Sequence, residues 1–195
     1  MTTKIYAIHG AFSTPRMFSF LKTNLSEYSW DFLKYRTTEP NIDSLVDKAI
    51  DENKNSDMCH VVGHSMGGLI ALSLAGQSWV KSITTIATPL GGIDMNILQS
   101  YLTRSNILSE ISSSSKFIRQ LHEMSNSKPT LRIITTAGFN PFMWEPNDGV
   151  VTVRSQRYQS HGIYKDIESN HQEVMLDMQT VDILRDWWNI SCNVA

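Results

Sequence analysis

The sequence predicts an α/β fold, in which helices cover both faces of a mostly parallel sheet of about six strands. Two observations predict it. Short apolar runs alternate along the chain with amphipathic helical segments. The length of 195 residues, with 41% hydrophobic and 18% charged residues, fits one globular domain spanning residues 1–195.

Apolar, β-prone runs bounded by turn residues predict the strands. The first run ends at Gly10, which begins a polar turn, and the last lies shortly before the C-terminal helical segment. The six predicted strands are Lys4–His9, Trp30–Tyr35, Asp57–Val62, Val80–Ala87, Thr130–Ala137 and Gly162–Ile167.

Helical patterns fill most of the intervals. Pro15 suits the first turn of a helix that runs to about Leu25. A single apolar stripe predicts a helix over 41–53, and small residues predict another over 66–76. Apolar residues three or four apart between Val174 and Trp188 predict an amphipathic helix that closes the domain.

Residues 88–128 interrupt this alternation, because they show no strand character. Their apolar spacing predicts short helices. A run of four serines, Ser112 to Ser115, breaks the pattern and suits a helix start. We expect this segment to form a partial cover over a site rather than a full cap domain.

Charge and composition exclude several classes of function. The formal net charge is −2 with no basic cluster, so we expect no nucleic-acid partner. No apolar run reaches the roughly 20 residues of a membrane span, and the N-terminus lacks a signal-peptide pattern. Cys59 and Cys192 predict no disulfide framework. These features together predict a cytoplasmic protein.

The strongest chemical motif is Gly63-His64-Ser65-Met66-Gly67, between a predicted strand and a predicted helix. A sharp turn here holds Ser65 in a strained conformation, with its hydroxyl projecting above the sheet. Two alternatives are a glycine-rich turn with an incidental serine and a phosphate-binding loop, although the loop's lysine is absent.

A serine nucleophile needs a base and an acid that orients the base. His171 lies in a late loop before the last helix, whereas the other histidines considered occupy strands, the motif itself or the interrupting segment. Asp148 follows the fifth strand and gives the chain order Ser, Asp, His. Asp166 and Glu168 are the competing acids, and a plain turn is the alternative for Asp148.

Acyl transfer also requires two N–H donors for the oxyanion. Met66, directly after the nucleophile, supplies one, and the turn after the first strand supplies the other from Ala11, with Phe12 as the alternative. Phe12, Phe142 and Trp144 are the predicted substrate-binding side chains. Ordinary loop packing is the alternative for the last two.

Taken together, these residues resemble the α/β-hydrolase superfamily, in particular its compact lipases and esterases. The similarity rests on His9-Gly10, the motif around Ser65 with Gly68, the Asp148-Gly-Val-Val stretch and His171, with Thr88-Pro89 and Ser114–Leu121 in support. It implies a Ser-His-Asp triad, a two-amide oxyanion hole, no metal and no organic cofactor. The chain is short for that fold.

The expected activity is hydrolysis of carboxylic esters with moderately apolar acyl groups, on a small-molecule or lipid ester. A thioesterase or amidase with the same triad is one alternative. A hydrolase-fold protein that binds an apolar ligand without turnover is another.

Overall fold

A computed structural model describes residues 3–37, 41–94, 106–124, 128–158 and 161–193. Six strands form one sheet, in the order β2-β1-β3-β4-β5-β6, and each neighbouring pair is parallel. The strands are β1 (Lys4–Ile8), β2 (Ser29–Phe32), β3 (Cys59–His64), β4 (Val80–Ile86), β5 (Thr130–Thr135) and β6 (Ile163–Ile167). The predicted fold class is confirmed.

Helices cover both faces of the sheet, as its buried strands require. The α-helices are α1 (Ser19–Asn24), α2 (Ile42–Asn53), α3 (Met66–Ser73), α4 (Asn106–Glu110), α5 (Lys116–Glu123), α6 (Val153–Gln156) and α7 (Met178–Asn193). Helices α2 to α5 contribute to one apolar core, and α1 and α7 pack into a second core on the opposite face. Successive residues of β1 alternate between the two cores, as the strand period of two demands.

Several predicted boundaries are wrong by two or three residues. The second strand ends at Phe32 instead of Tyr35, and the third spans 59–64 instead of 57–62. The first helix begins as a 3₁₀ turn over Pro15–Phe18. The local sequence pattern does not show where pairing with the adjacent strand ends. Here the residues after β2 contact the turn after β1 instead of continuing the strand.

The interrupting segment contains the predicted short helices α4 and α5. Ser115 begins α5, and its hydroxyl accepts a hydrogen bond from the Ile118 N–H at 3.1 Å, which confirms the predicted helix start. Residues 95–105 and 125–127 of this segment lie outside the described residues. The expectation that the segment covers a site stays a prediction.

Candidate active site

Ser65 lies on the turn between β3 and α3, in a backbone conformation that non-glycine residues rarely adopt. Its φ is 53° and its ψ is −126°. The Ser65 N–H donates to the Ile86 carbonyl oxygen at 2.8 Å, which ties the turn to the end of β4. A serine held at positive φ costs free energy on the order of 1–3 kcal/mol, and such strain persists only where the surroundings enforce it.

Two glycines allow the backbone to approach this turn closely. A Cβ on Gly67 would lie 2.1 Å from the Ile8 carbonyl oxygen, so only glycine lets α3 start against the end of β1. A Cβ on Gly10 would lie 2.9 Å from the Ser65 Cβ. The turn after β1 therefore packs directly against Ser65, and the backbones that carry Ala11 and Met66 meet at the same edge of the sheet.

His171 lies between β6 and the 3₁₀ helix Glu173–Leu176, and it connects Ser65 to Asp148. Its Nε2 is 3.0 Å from the Ser65 Oγ, and its Nδ1 is 2.8 Å from the Asp148 Oδ2. The His171 N–H also donates to the Asp148 carbonyl oxygen at 3.0 Å. Because a carboxylate only accepts, the Nδ1 carries the proton and the Nε2 is free to accept one from serine.

The Asp148 carboxylate is buried and receives five hydrogen-bond donors. The Val150 and Val151 N–H groups donate to Oδ1 at 2.9 and 2.7 Å. Besides His171, the Thr135 hydroxyl and the Gln156 amide donate to Oδ2 at 2.5 and 3.2 Å. Burial by itself raises the pKa of Asp148, but the hydrogen bonds and charge of His171, with those of Thr135 and Val151, hold it below its ordinary value. Asp148 therefore stays ionised.

Gln156 is held by the backbone of β5 as well as by Asp148. The Thr135 N–H donates to its Oε1 at 2.9 Å, and its Nε2 donates to the Thr135 carbonyl oxygen at 3.1 Å. The Gln156 side-chain amide thus pairs with both backbone groups of Thr135, the last residue of β5. This pairing leaves the second Nε2 hydrogen directed at the carboxylate.

His64, inside the serine motif, supports His171 from below. Its Nε2 donates to the His171 carbonyl oxygen at 2.8 Å, and the two ring centroids are 4.8 Å apart. Burial, with the neighbouring His171, lowers the pKa of His64 to about 3. His64 is therefore a neutral donor that fixes the backbone of the loop that carries His171.

The turn after β1 contains both predicted alternatives for an oxyanion donor, Ala11 and Phe12. The Phe12 N–H already donates to the Thr37 Oγ1 at 2.7 Å. Within the described part of the chain, the Ala11 N–H has no such acceptor. The Met66 N–H, at the first turn of α3, is one of the amides that a helix leaves without an internal partner.

The predicted substrate-binding side chains are exposed to solvent. The exposed fractions are 62% for Phe12, 70% for Phe142 and 99% for Trp144. Phe142 and Trp144, the exposed aromatic pair, line a cavity of about 460 Å³ with Ile93, Val150 and Val151 among its other walls. Neither Ser65 nor His171 is among the described residues that line it. The substrate-binding role of Phe12, Phe142 and Trp144 stays a prediction.

The structure places the competing acids and histidines elsewhere. Asp166, in β6, forms an ion pair with Arg157, and the Glu168 side chain is exposed. His60 contacts the Ser82 hydroxyl at 2.6 Å, and His122 donates to the Leu90 carbonyl oxygen at 2.6 Å.

Four residues that contact the site or its turns were not predicted from the sequence, because no motif or spacing in a single sequence distinguishes them. They are Tyr35, Thr37, Thr135 and Gln156.

The described residues contain neither a candidate metal site nor a candidate membrane span. No three histidine, cysteine, aspartate or glutamate side chains are grouped there as metal ligands would be. Of the helices described, none has the length and apolar character needed to cross a membrane.

The chain matches no protein-family model and no curated protein sequence. It is similar in structure to the mature lipase BlEst2 of Bacillus licheniformis, with a TM-score of 0.76 and 13% identity over 95% of this chain and 91% of that one. A lipase-esterase related protein of Clostridium acetobutylicum gives 0.67 and 13% identity over 95% and 94% of the two chains.

A carboxylesterase structure from Nitrososphaera gargenis is also similar, with a TM-score of 0.67 and 11% identity over 100% of this chain and 92% of that one. At such low sequence identity, the similarity in structure shows the fold alone. With its parallel six-stranded sheet and a serine turn after β3, this chain has the α/β-hydrolase fold.

Proposed function

We propose that this protein is a serine hydrolase that cleaves carboxylic esters of moderately apolar acyl groups through an acyl-enzyme. The observation that carries the proposal is the continuous hydrogen-bonded chain from the Ser65 Oγ through the His171 imidazole to the ionised Asp148 carboxylate. The backbone strain at Ser65 supports it, because such strain is frequent where a nucleophile must be held in position.

The first half-reaction forms the acyl-enzyme. The Ser65 Oγ attacks the ester carbonyl carbon while the His171 Nε2 takes the hydroxyl proton. The carbonyl π electrons move onto oxygen, and the Ala11 and Met66 N–H groups donate to that oxyanion. When the tetrahedral intermediate collapses, the bond to the alcohol oxygen breaks, and His171 returns the proton to the leaving alkoxide.

The second half-reaction releases the acid. Water attacks the acyl carbon and gives its proton to His171, and the collapse of the second tetrahedral intermediate breaks the bond to the Ser65 Oγ. The proton passes from His171 to that oxygen. Throughout both halves, Asp148 keeps the imidazole in one tautomer and stabilises the imidazolium, while its five donors prevent it from rotating away.

The choice of an ester with an apolar group rests on the surface beside the hydrogen-bonded chain. Val150 and Val151 hold the Asp148 carboxylate through their N–H groups and also line the cavity of about 460 Å³. That cavity therefore adjoins the Asp148 end of the triad and has an aromatic edge. The apolar part of a substrate would pack there, and the similarity in structure to lipases and carboxylesterases favours the same class.

Labelling with a fluorophosphonate tests the proposal, because the reagent phosphonylates an activated serine. We expect the wild type to be labelled and Ser65→Ala to be unlabelled. Ser73→Ala is the matched control, since Ser73 lies in α3 and its hydroxyl donates to the Leu69 carbonyl oxygen within that helix. A wild type that is never labelled, or a labelled Ser65→Ala, would contradict the proposal.

Matched substrates test the ester preference. With the same butyryl group on an ester, a thioester and an anilide, we expect the ester to give the highest kcat/KM. A higher value for the thioester or the anilide would retain the acyl-enzyme mechanism and assign the protein to the corresponding alternative.

A further inference from the structure

The segment after β2, Leu33 to Thr37, contacts both ends of the turn that carries Ala11. At one end, the Tyr35 hydroxyl donates to the His9 carbonyl oxygen through a short hydrogen bond. At the other end, the Thr37 Oγ1 accepts the Phe12 N–H at 2.7 Å. Tyr35 and Thr37 are both buried, so these contacts are shielded from competing water.

The direction of the Ala11 N–H depends on the peptide plane that it shares with the Gly10 carbonyl. A trans peptide is planar, so its C=O and N–H point in opposite directions, and the described chain has no cis bonds. The His9 Nδ1 donates to the Gly10 carbonyl oxygen at 2.8 Å. Whatever holds the His9 ring therefore fixes the direction of the Ala11 N–H.

Tyr35 holds that ring. The two rings are stacked, with centroids 4.0 Å apart and an interplanar angle of 5°. The same tyrosine anchors the His9 backbone through its hydroxyl. Burial lowers the pKa of His9, so the imidazole is neutral and donates from one nitrogen only. A single side chain thus fixes both the ring and the carbonyl of His9.

Thr37 fixes the next peptide plane. Phe12 has a φ of 54°, in the left-handed region that is unfavourable for a bulky residue, so the turn requires an external contact at this position. The Thr37 hydroxyl supplies it by accepting the Phe12 N–H, and this bond also removes Phe12 from the donors available to a substrate.

We infer that Tyr35 and Thr37 are positioning residues for the oxyanion hole, which aim the Ala11 N–H at the substrate carbonyl by holding the peptide planes on either side of it. The inference rests on the proposed function. Tyr35 and Thr37, which follow the edge strand β2, would then help to stabilise the transition state without contacting the reacting atoms.

The variants that test it are Tyr35→Phe and Thr37→Val. Tyr35→Phe keeps the stacked ring but removes the hydroxyl that holds the His9 carbonyl, and with it the His9–Gly10 peptide plane. Thr37→Val keeps the shape and removes the acceptor of the Phe12 N–H. Removing an oxyanion donor altogether lowers kcat by about 10²–10³-fold, and we expect misaiming it to lower kcat by at least about tenfold. KM should stay within about twofold, because the ground-state ester depends little on these donors. Thr37→Ser should recover most of the activity, since it restores the acceptor.

A trifluoromethyl ketone inhibitor separates positioning from general damage to the fold. It forms a hemiketal oxyanion on the serine, so its affinity should fall by the same factor as kcat. The pH dependence of kcat should keep its shape, because the hydrogen bonds among Ser65, His171 and Asp148 are untouched. Tyr28→Phe is the matched control, since this buried tyrosine donates to Asn189 in a contact away from the turn.

The outcomes are distinguishable. If the wild type hydrolyses esters and is labelled, while Tyr35→Phe and Thr37→Val keep kcat and inhibitor affinity within twofold, the inference is wrong and the proposed function stands. If either variant loses kcat and KM rises in proportion while inhibitor affinity is unchanged, positioning is also refuted. A wild type with neither turnover nor labelling contradicts the proposed function, and the inference falls with it.

Discussion

Two regions at the carboxyl edge of the sheet differ in how firmly the chain holds them. The Asp148 carboxylate is buried and receives five hydrogen-bond donors from four parts of the chain. The exposed aromatic pair, Phe142 and Trp144, lies a few residues earlier in the same loop, with most of its surface in solvent. The first region is overdetermined, which suits groups that must not move during chemistry. The second leaves most of its surface available for the proposed contact with a substrate.

The comparison is tested most severely by Asp148→Asn. An amide nitrogen opposite the His171 Nδ1 would force the proton onto Nε2, which then cannot accept the serine proton. The same change in a serine protease costs about 10⁴-fold in kcat, and we expect a loss of that order. Steady-state kinetics on a butyryl ester would measure it.

The matched controls are Asp166→Asn and Glu168→Gln, which we expect to stay within about tenfold of the wild type. Asp166 pairs with Arg157 at the surface, and Glu168 is exposed. A near-normal kcat for Asp148→Asn beside a collapse in either control would move the acid to the end of β6.

A smaller loss is expected from Gln156→Met, which keeps the length of the side chain but removes its donor and acceptor. One of the five hydrogen bonds on Asp148 disappears, and the buried Thr135 N–H loses its partner. We expect kcat to fall about tenfold and the free energy of unfolding to fall by about 1–3 kcal/mol. Kinetics and urea unfolding would measure these changes.

Gln172→Met is the control for that experiment, because Gln172 is adjacent to His171 in sequence and exposed. A folded Gln156→Met protein with wild-type kcat would show that four donors hold Asp148 as well as five do. The Gln156 donor would then be redundant, and the expected tenfold loss would be wrong.

The same contrast separates what the sequence predicts from what it does not. The parallel sheet, the strained turn at Ser65 and the proximity of Ser65, Asp148 and His171 follow from apolar runs, glycine spacing and chain order. Thr135 and Gln156 have no such signal, since a threonine ending a strand and a glutamine in a short helix are ordinary residues until folding brings them together. Tyr35 was predicted as part of a strand, because its tertiary role at His9 is invisible to local periodicity.

Two buried neutral histidines make the folded protein sensitive to acid. Burial lowers the pKa of His60 from 6.5 to about 4, and that of His64 to about 3. Below about pH 6.5, these two histidines are therefore protonated in the unfolded chain but stay neutral in the folded protein. Stability contributed by each group is full above that pH, and it is lost as the pH falls toward the folded pKa. We expect each to cost ~2 kcal/mol between pH 7 and pH 5.

Urea unfolding at pH 7 and pH 5 would measure this cost. His60→Gln should remove its share of the pH dependence, because His60 lies outside the proposed catalytic chain and its replacement cannot be protonated. Gln172→Met is the control, since it changes an exposed side chain that does not titrate, and it should unfold with the wild-type pH dependence. An unchanged pH dependence in His60→Gln would contradict the assignment.

The smallest expected effect concerns the exposed aromatic pair. Trp144 is almost fully exposed, so truncating it removes little packing from the folded protein, and the same holds to a lesser degree for Phe142. A loss of activity that depends on the length of the acyl chain would then report lost contact with a substrate. Full burial of an aromatic side chain by a bound chain is worth about 1.5–3 kcal/mol, but one edge of an open cavity captures only part of that.

For Trp144→Ala and Phe142→Ala we therefore expect an unchanged melting temperature and unchanged kcat/KM on acetyl esters. On octanoyl esters we expect a loss of about three- to tenfold, because we propose that the longer acyl chain packs in the cavity of about 460 Å³. Ile190→Ala is the control, an exposed apolar residue on α7. Equal losses on both esters would mean that the pair supports the loop of Asp148 instead of the substrate. The contrast between a fixed centre and an adaptable edge would then be wrong.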